Sequence, residues 1–556
     1  MSALKILPLA VAMTAMSPAL SAQQSTTSVK TEVLDKIVAQ EHVEMQSLRK
    51  YSPLVETYIQ TRRADKQEGV VPGGDKYFLG RAKLAKGVEL EPLAHDTKTS
   101  HNKIFGGFTN FFSMEFLPRG FLQMIYVDRN GFDRSHYNFS YVRREFLGEV
   151  RCMVFDVEPR VKSEKGRFVG RIWVEDQDYH IVRFNGGYSS RSKPSYYFNF
   201  DSWRTNAGKN EWLPAFIYSE ELTNPLLPSF RAQTRLWSYA PSHAREEQEL
   251  SKVLVETPRP VNDLSEIAND YSPLEEKRAW GRQAEDNIAA KMEHLGLMAP
   301  YGDVDKVLET VVNNLEVTNN LDVQPAVRCR VLMTSTMESF TVGHTIVLSR
   351  GLVDVLPDEA SLAAILAHEL GHVVLRHPIG TQYAFFNRLR FDEKETFHHF
   401  GFTHTPEEEQ AATQEGTELL KKSPYKDHLG NAQLFLEALN DRSKEIPNLV
   451  NPHLGNSVAT SRSAVPTAQA SAAKPAGNVI AGLPLGGRIK VEPWNNQLQM
   501  LKSKPVGTVA EGEVTPFELT PFILYLTRQG DNASAKVPGT LAVKSGTDTD
   551  IPDSKP

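Results

Sequence analysis

The most constraining feature of this chain is a pair of histidines four residues apart inside an apolar run. His368 and His372 enclose Glu369 in the pattern H-E-x-x-H, and apolar residues flank the pattern from Ala363 to Leu375. A four-residue spacing on a helix places both imidazoles on one face, one turn apart. Three ionisable groups on a buried helix need a partner, and a metal ion bound by both imidazoles meets that need.

An exposed polar helix face is the alternative interpretation of the same pentapeptide. The apolar flanks argue against it, because they indicate a helix that is buried on nearly every side. Pro357 just before the run also suits the first turn of a helix. The pattern therefore predicts a zinc site in which His368 and His372 are ligands and Glu369 is a general base.

A third ligand has to come from elsewhere in the chain. An extended pattern with a third histidine is excluded, because Leu375 and Pro378 stand where that pattern needs glycine and histidine. A carboxylate from a second helix is the remaining common solution. Such a helix is predicted after Thr405, whose spacing to Glu408 is that of a capping box.

Three consecutive glutamates compete for the third position. Glu408 fits the capping box and Glu407 fits the helix dipole of the first turn. Glu409 shares a face with small residues that allow another helix to approach, so we expect Glu409 to be the ligand. The histidines of the preceding connection are rival donors, with an exposed loop as the competing interpretation: His398, His399 and His404.

These motifs resemble peptidase family M48, the family of CAAX prenyl proteases, a heat-shock membrane protease and periplasmic quality-control proteases. The resemblance covers roughly residues 300 to 455 and rests on Glu338–Gly343, Ile346–Leu352 and the H-E-L-G-H helix ending Arg376-His377. It implies a gluzincin-type zinc endopeptidase. Its third ligand is the first glutamate of E-x-x-A-D-x-x-G, which is Glu409 in this sequence.

Two positions depart from the family pattern. Thr413 replaces the family aspartate, which removes an expected carboxylate beside the metal ligands. Glu338-Ser339-Phe340 replaces Asn-Ala-Phe. Neither change removes a metal ligand, so the resemblance implies an active enzyme.

The strand from Thr345 to Leu348 has two interpretations. It is an edge strand that pairs with the substrate backbone, or it is an internal strand of a small sheet.

A loop farther along the chain carries two more candidate site residues. Asn451-Pro452-His453 and the later Arg462 resemble a family loop that approaches the metal cleft. On that resemblance His453 and Arg462 act as a gate or stabilise the transition state. A solvent-exposed loop is the alternative.

The composition excludes several classes of protein. A length of 556 residues predicts more than one domain, and a net charge of −6 offers no basic surface for nucleic acid. Two cysteines do not make a disulfide framework, so Cys152 and Cys329 are expected to be buried free thiols. Residues 1–22 have the short apolar core and small-residue end of a signal peptide, with an uncleaved anchor as the alternative.

The rest of the chain divides into segments of different hydrophobic period, which predict an α+β multidomain fold. We expect a helical segment at 23–76, an antiparallel curved β-sheet domain at 77–257 and a connector at 258–300. A mainly helical metallopeptidase domain with a small sheet follows at 301–455. The expected remainder is a flexible linker at 456–486, a small strand-rich appendage at 487–530 and a disordered tail at 531–556.

The function expected from these features is an exported zinc-dependent endopeptidase, periplasmic or extracellular, with one Zn²⁺ per chain. Its expected partners are polypeptides of the envelope or outer membrane, and these features are compatible with peripheral membrane contact.

Part of the β domain, from Gly170 to Arg183, faintly resembles lipoprotein-sorting half-barrels; a generic docking domain is the alternative. The rival function is a zinc-containing binding module for lipid-modified or unfolded envelope proteins. Glu369 favours the enzyme, because a binding module has no use for a general base.

Overall fold

The computed structural model has a large antiparallel sheet in its N-terminal part and a helical C-terminal part with a small sheet. The predicted α+β class is confirmed. The structure describes residues 19–65, 69–85, 87–93, 116–129, 131–161, 166–189, 199–208, 210–221, 229–239, 273–378, 384, 397, 399–451, 453–458, 482–486, 488–492, 495–501 and 517–528. Most of the predicted signal peptide and the whole predicted tail lie outside these residues, and Ala19 to Ala22 belong to the first helix.

Ten strands form the large sheet, in the order β3-β2-β1-β10-β9-β8-β7-β6-β5-β4, with every neighbouring pair antiparallel. The chain runs through β4 to β10 as a continuous meander, and β10 then pairs with β1. The bounds are β1 Leu54–Asp65, β2 Gly69–Lys83, β3 Glu89–Pro92, β4 Tyr137–Leu147, β5 Val150–Pro159, β6 Phe168–Glu175, β7 Ile181–Tyr188, β8 Asn199–Gly208, β9 Glu211–Glu221 and β10 Phe230–Trp237.

The sheet begins earlier than the sequence predicts. The predicted helical segment at 23–76 includes all of β1 and part of β2, so only its first half is helical. The reason lies in the burial of β1, where Leu54 and Val55 are both fully buried and so are Glu56 and Thr57. A strand covered on both faces loses the alternation of apolar and polar residues, and its run of apolar positions imitates a helix.

Both faces of the sheet are covered. Along β5, Met153, Phe155 and Val157 join a cluster that includes helix α1 (Ala19–Leu48) and helix α2 (Phe116–Gln123). Cys152 and Val154 point to the other face and join a second cluster, which is rich in tryptophan and contains residues of the segment 517–528. Successive residues of β5 therefore face opposite clusters, and the C-terminal segment packs against the sheet.

A buried charge cluster fixes α1 to the sheet. The guanidinium of Arg204 on β8 donates to Glu41 at 2.7 and 2.8 Å and to Glu44 at 2.5 Å. All three side chains are less than a tenth exposed. His180 adds a 3.0 Å contact between its Nδ1 and Glu44. Because buried charges need partners, this cluster specifies one position of α1 on the sheet.

The C-terminal part is built on helices. Their bounds are α3 Pro273–His294, α4 Asp303–Asn319, α5 Arg350–Val355, α6 Glu359–Leu375, α7 Pro406–Lys421, α8 Leu429–Arg442 and α9 Pro447–Val450. The predicted connector at 258–300 thus contains α3, whose buried face includes Ala284, Ile288 and Met292. None of the helices that the structure describes is both long enough and apolar enough to cross a membrane.

A four-stranded sheet lies beside α6, in the order β11-β13-β12-β14. Its strands are β11 Arg328–Leu332, β12 Glu338–Val342, β13 Thr345–Ser349 and β14 Asn456–Ser457. β13 pairs in parallel with β11 and antiparallel with β12. The predicted strand at Thr345 to Leu348 is therefore internal, and the alternative in which it receives a substrate backbone is wrong, because both of its edges are already paired.

The segments after the helical part return to the body of the protein. The first residues of the predicted linker form β14, and 459–481 lie outside the described residues. Within the predicted appendage, β15 (Ile489–Val491) pairs with β16 (Leu498–Met500). The carboxylate of Asp354 holds this appendage by accepting from the backbone N–H groups of Gly486, Arg488 and Ile489 at 2.8 to 3.1 Å. Cys152 and Cys329 are free and buried, as predicted.

The large sheet docks on the helical part through buried carboxylates. Glu56 of β1 accepts hydrogen bonds from the backbone N–H and the hydroxyl of Ser335, each at 2.6 Å, and from Tyr77 at 2.9 Å. Arg350 completes this group with a 3.3 Å contact to Glu56. Apolar residues of β1, β2 and β10 share one continuous core with the helices. The four-stranded sheet is thereby held in a fixed position against the N-terminal part.

Candidate metal centre

Helix α6 positions the first two candidate ligands. Asp358 caps it by accepting from the backbone N–H of Ser361 at 2.8 Å, and the helix ends where Arg376 takes a left-handed conformation with φ 57°. Along α6, His368, Glu369 and His372 are 4%, 4% and 2% exposed. The apolar sequence thus forms a buried helix that holds three ionisable side chains.

Helix α7 supplies a third donor. It begins with the predicted capping box, in which the Thr405 hydroxyl accepts from the N–H of Glu408 and the Glu408 carboxylate accepts from the N–H of Thr405. Glycines allow α6 and α7 to approach closely. A Cβ on Gly371 would lie 2.6 Å from the carbonyl oxygen of Ala412, and one on Gly416 would lie 2.8 Å from that of Ala367. Larger residues at these positions would separate the two helices.

Three donor groups from the two helices, two imidazole nitrogens and one carboxylate, form a triangle in which the closest donor atoms of each pair are equally far apart. The Nε2 atoms of His368 and His372 are 3.3 Å apart. Glu409 places one carboxylate oxygen 3.3 Å from Nε2 of His368 and the other 3.3 Å from Nε2 of His372. The structure therefore brings together the three predicted ligands in an arrangement that can hold a metal ion. Glu408 is occupied by its capping role, and Glu407 is exposed.

The other nitrogen of each histidine has a polar neighbour. Nδ1 of His368 lies 3.3 Å from the hydroxyl of Thr413, the residue that replaces the family aspartate. Nδ1 of His372 lies 2.8 Å from Nδ1 of His377. The side-chain amide of Asn456 on β14 donates to Glu409. Partners of this kind fix the orientation of a ligand ring or carboxylate and maintain its basicity.

Glu369 points to the four-stranded sheet instead of joining the triangle. Its Oε1 accepts a 2.6 Å hydrogen bond from the hydroxyl of Ser339 on β12. Burial raises the pKa of Glu369 to about 7, against the opposing effects of His368 and of the Ser339 hydrogen bond. A carboxylate whose pKa is near neutrality can both accept and return a proton at physiological pH.

The triangle has a defined charge distribution. Burial opposes ionisation of Glu409, but its contacts with His368 and His372 outweigh burial and hold its pKa well below the usual range. Burial also lowers the pKa of His372, to about 4. A neutral imidazole and an ionised carboxylate are the protonation states in which His372 and Glu409 bind a cation. The pKa of His368 is shifted the other way, because burial lowers it but its contacts with Glu409 and Glu369 outweigh burial and raise it.

Of the remaining predicted site residues, the structure describes His453, His399 and His404. The ring of His453 stacks on Tyr77 of β2 with centroids 4.9 Å apart, and its backbone N–H donates to Glu338 at 3.1 Å. His453 is thus part of the contact with the large sheet and is absent from the described metal-ligating clusters. Arg462 and His398 lie outside the described residues, and His399 is exposed.

His404 differs from its predicted exposed-loop position. Its side chain is only 3% exposed, and its ring stacks on that of His372 with centroids 4.0 Å apart. No regular spacing in the sequence indicated this position, because the loop before α7 determines where the ring lies. Ser339, His377 and Asn456 were also missed. Two of them had a sequence signal: His377 ends the H-E-L-G-H helix motif, and Ser339 lies in the motif that departs from Asn-Ala-Phe.

The family model of peptidase family M48 matches residues 302–393. This match confirms the resemblance drawn from the motifs, and it supports a metallopeptidase assignment for this part of the chain. It includes His368, Glu369 and His372 and ends before Glu409. No curated protein matches the sequence.

Proposed function

We propose that the protein is an exported zinc-dependent endopeptidase. The observation that carries this proposal is the triangle of His368, His372 and Glu409 donors, 3.3 Å on each side, with the Glu369 carboxylate next to it. A buried set of two imidazoles and one carboxylate beside a second, non-ligand carboxylate is the donor pattern of zinc peptidases.

The size of the triangle supports zinc in particular. Zinc binds nitrogen and oxygen donors at about 2.0–2.1 Å in tetrahedral geometry, which separates neighbouring donors by roughly 3.3–3.4 Å. The three distances in this site agree with that separation. Two imidazoles with one carboxylate also suit zinc better than calcium or magnesium, which prefer sites made of oxygen donors.

The chain's own residues supply the proton chemistry. Bound zinc contributes a Lewis acid that polarises the peptide carbonyl and activates water. Glu369 removes a proton from the attacking water at its carboxylate and later delivers it to the leaving amine. Ser339 holds this carboxylate in place through its 2.6 Å hydrogen bond. The burial of α6 keeps bulk water away and strengthens the electrostatic interactions within the site.

Export and an envelope substrate are further parts of the proposal. The apolar run near the start of the sequence, from Ile6 to Met13, supports export through a signal peptide. The endopeptidase assignment and the choice of envelope or misfolded polypeptides follow the resemblance to periplasmic quality-control proteases. Cleavage at an internal peptide bond requires no recognition of a chain end, and it fits substrates that are exposed as unfolded segments.

A binding module with little hydrolysis is the weaker proposal. Helices α1 and α2 pack on one face of the large sheet, and residues of the segment 517–528 pack on part of the other. Both faces are therefore used by the chain itself. In addition, a module that only binds would not need Glu369 held beside the donor triangle by Ser339.

Casein cleavage tests the proposal. The purified protein is assayed before chelation, after a zinc chelator has been dialysed in and out, and after stoichiometric zinc is restored. We expect cleavage to disappear with the metal and to return with zinc. Cleavage that persists in metal-free protein would contradict the proposal, and protein that holds zinc but releases no peptides would favour the binding module.

A further inference from the structure

A second cluster of imidazoles lies directly behind the donor triangle. His372, His377 and His404 each offer a ring nitrogen, and these three atoms lie within 4.8 Å of one another. The closest pair is Nδ1 of His377 and Nδ1 of His372, at 2.8 Å. The ring of His404 stacks on that of His372, with centroids 4.0 Å apart and an interplanar angle of 23°.

The backbone holds two of these rings together. Arg376 takes a left-handed conformation at the end of α6, and the N–H of His377 then donates to the carbonyl oxygen of His372 at 3.1 Å. This turn brings the His377 side chain back towards α6. His404 comes from the other side, one residue before the Thr405 cap of α7. The cluster therefore joins two segments that are independently fixed.

His404 has an unused nitrogen. Its side chain is 3% exposed, and its Nδ1 has no hydrogen-bond partner. The nearest carboxylate oxygen is on Glu408, at 3.6 Å, beyond hydrogen-bond range. A buried polar nitrogen without a partner destabilises the folded protein. An imidazole nitrogen bound to a metal ion has no such cost, and a neighbouring carboxylate would add to the attraction for a cation.

We propose that His372, His377 and His404 form a second transition-metal site, which fills when zinc exceeds the amount bound at the triangle and which inhibits the peptidase. Imidazole nitrogens bind zinc, copper and nickel well. His372 is shared: its Nε2 faces the triangle and its Nδ1 faces the second site. The inference rests on the proposed function in that the triangle holds the catalytic ion.

Inhibition follows from the shared ring. A cation on Nδ1 of His372 takes the position of the proton that this nitrogen carries when it donates to His377. That proton is released to solvent, and the bond to the second cation pulls the His372 ring towards the second site, so Nε2 moves away from the first ion. A second positive charge on the same ring also repels that ion. Both effects displace the catalytic ion from the position in which it polarises the peptide carbonyl and activates water.

Zinc binding measured by equilibrium dialysis tests the site without any activity assay. The full chain carries Glu369→Gln throughout, to prevent self-digestion. We expect two steps as free zinc rises, with a plateau of about two ions per chain. His404→Phe keeps the aromatic stacking but removes both ring nitrogens, so its plateau should fall to about one. His428→Phe alters an exposed histidine and should keep both steps.

His377→Gln gives an independent result if His404→Phe folds poorly. Glutamine can still accept from Nδ1 of His372 but is a poor zinc ligand, so the first step should remain and the second should be lost. A single step in the parent chain that persists in His404→Phe, or a second step that persists in both variants, would overturn the proposal. A single step in the parent chain that is lost in His404→Phe would instead refute the proposed catalytic centre.

Casein cleavage by the chain with Glu369 intact then tests the inhibition. We expect activity to fall over the same range of free zinc in which the second ion binds, and His404→Phe to be resistant over that range. Activity that stays constant while the second ion binds would refute the inhibitory role.

Discussion

The hydroxyl of Ser339 donates a 2.6 Å hydrogen bond to Glu369, and this bond joins strand β12 to the helix that carries two of the proposed metal ligands. The family pattern has alanine at the position of Ser339, so the contact is a feature of this chain. It gives the proposed general base a fixed orientation and leaves its second carboxylate oxygen for the proposed reaction. The sheet thus contributes to the site although none of its strands supplies a ligand.

Removing this hydroxyl should impair the reaction without affecting metal binding. We expect Ser339→Ala to lower kcat by about tenfold, because the hydrogen bond to a charged group is worth about 1.5–3 kcal/mol and its loss lets the carboxylate rotate. Zinc content should match that of the parent chain. Steady-state kinetics with a fluorescent peptide check this prediction, and an unchanged kcat would show that Ser339 has no positioning role.

Replacement of each of the three adjacent glutamates of α7 should affect the zinc content of the protein differently. Glu409→Ala should lower zinc affinity sharply, because it leaves two protein ligands and removes the carboxylate charge. Glu407→Ala and Glu408→Ala should keep the metal and cost only about 0.5–1 kcal/mol of stability, from the dipole and the capping box. Metal analysis after dialysis decides the matter. Retention of zinc by Glu409→Ala, with its loss from either neighbour, would contradict the assignment.

The contact between the two parts of the protein should depend on the charge of Glu56. Glu56→Gln turns one acceptor oxygen into a donor facing Ser335 and leaves the buried Arg350 without its anion. We expect the free energy of unfolding to fall by about 2–4 kcal/mol. Glu32→Gln breaks an exposed ion pair and should change it by less than about 0.5 kcal/mol. Denaturant unfolding compares the two, and equal effects would refute the buried link.

Asp305 should make stability depend on pH. Burial raises the pKa of Asp305 to about 6 from its ordinary 3.8. The folded protein therefore retains a proton that the unfolded chain has lost, so stability falls as the pH rises from about 4 to about 6. Asp305→Asn cannot ionise. We expect the difference in melting temperature, variant minus parent chain, to be more positive at about pH 7.5 than at about pH 4.5.

Asp303→Asn is the control for that comparison. Asp303 lies in the same first turn of α4, but its side chain is 93% exposed. Its replacement should show no such gain at the higher pH. A melting-temperature difference for Asp305→Asn that is the same at both pH values would contradict the pKa shift.

The sequence predicted which three donor side chains meet better than it predicted the extent of the large sheet. The apolar flanks of His368 and His372 require a buried helix, and small residues beside Glu409 indicate the face of α7 that meets it; both inferences depend only on local spacing. The burial of β1 on both faces depends on contacts with distant segments, so Leu54 and Tyr58 were misassigned to a helix.

The residues around the ligands were also difficult to predict. Ser339, His377 and Asn456 reach the site from a strand, a helix end and a second short strand. Their roles depend on how these elements pack together, and no short-range spacing encodes that packing. His404 was interpreted as exposed because it lies in a polar loop, but the loop folds its ring against His372.

Replacement of Glu369 by glutamine tests the central claim most directly. Zinc content and casein cleavage are measured on the same preparations of the parent chain and of Glu369→Gln. The account predicts equal zinc in both and a loss of at least about 10³-fold in kcat/KM in the variant, because proton transfer and the charge of the carboxylate are removed while every ligand stays. Activity within about tenfold of the parent chain would contradict the account.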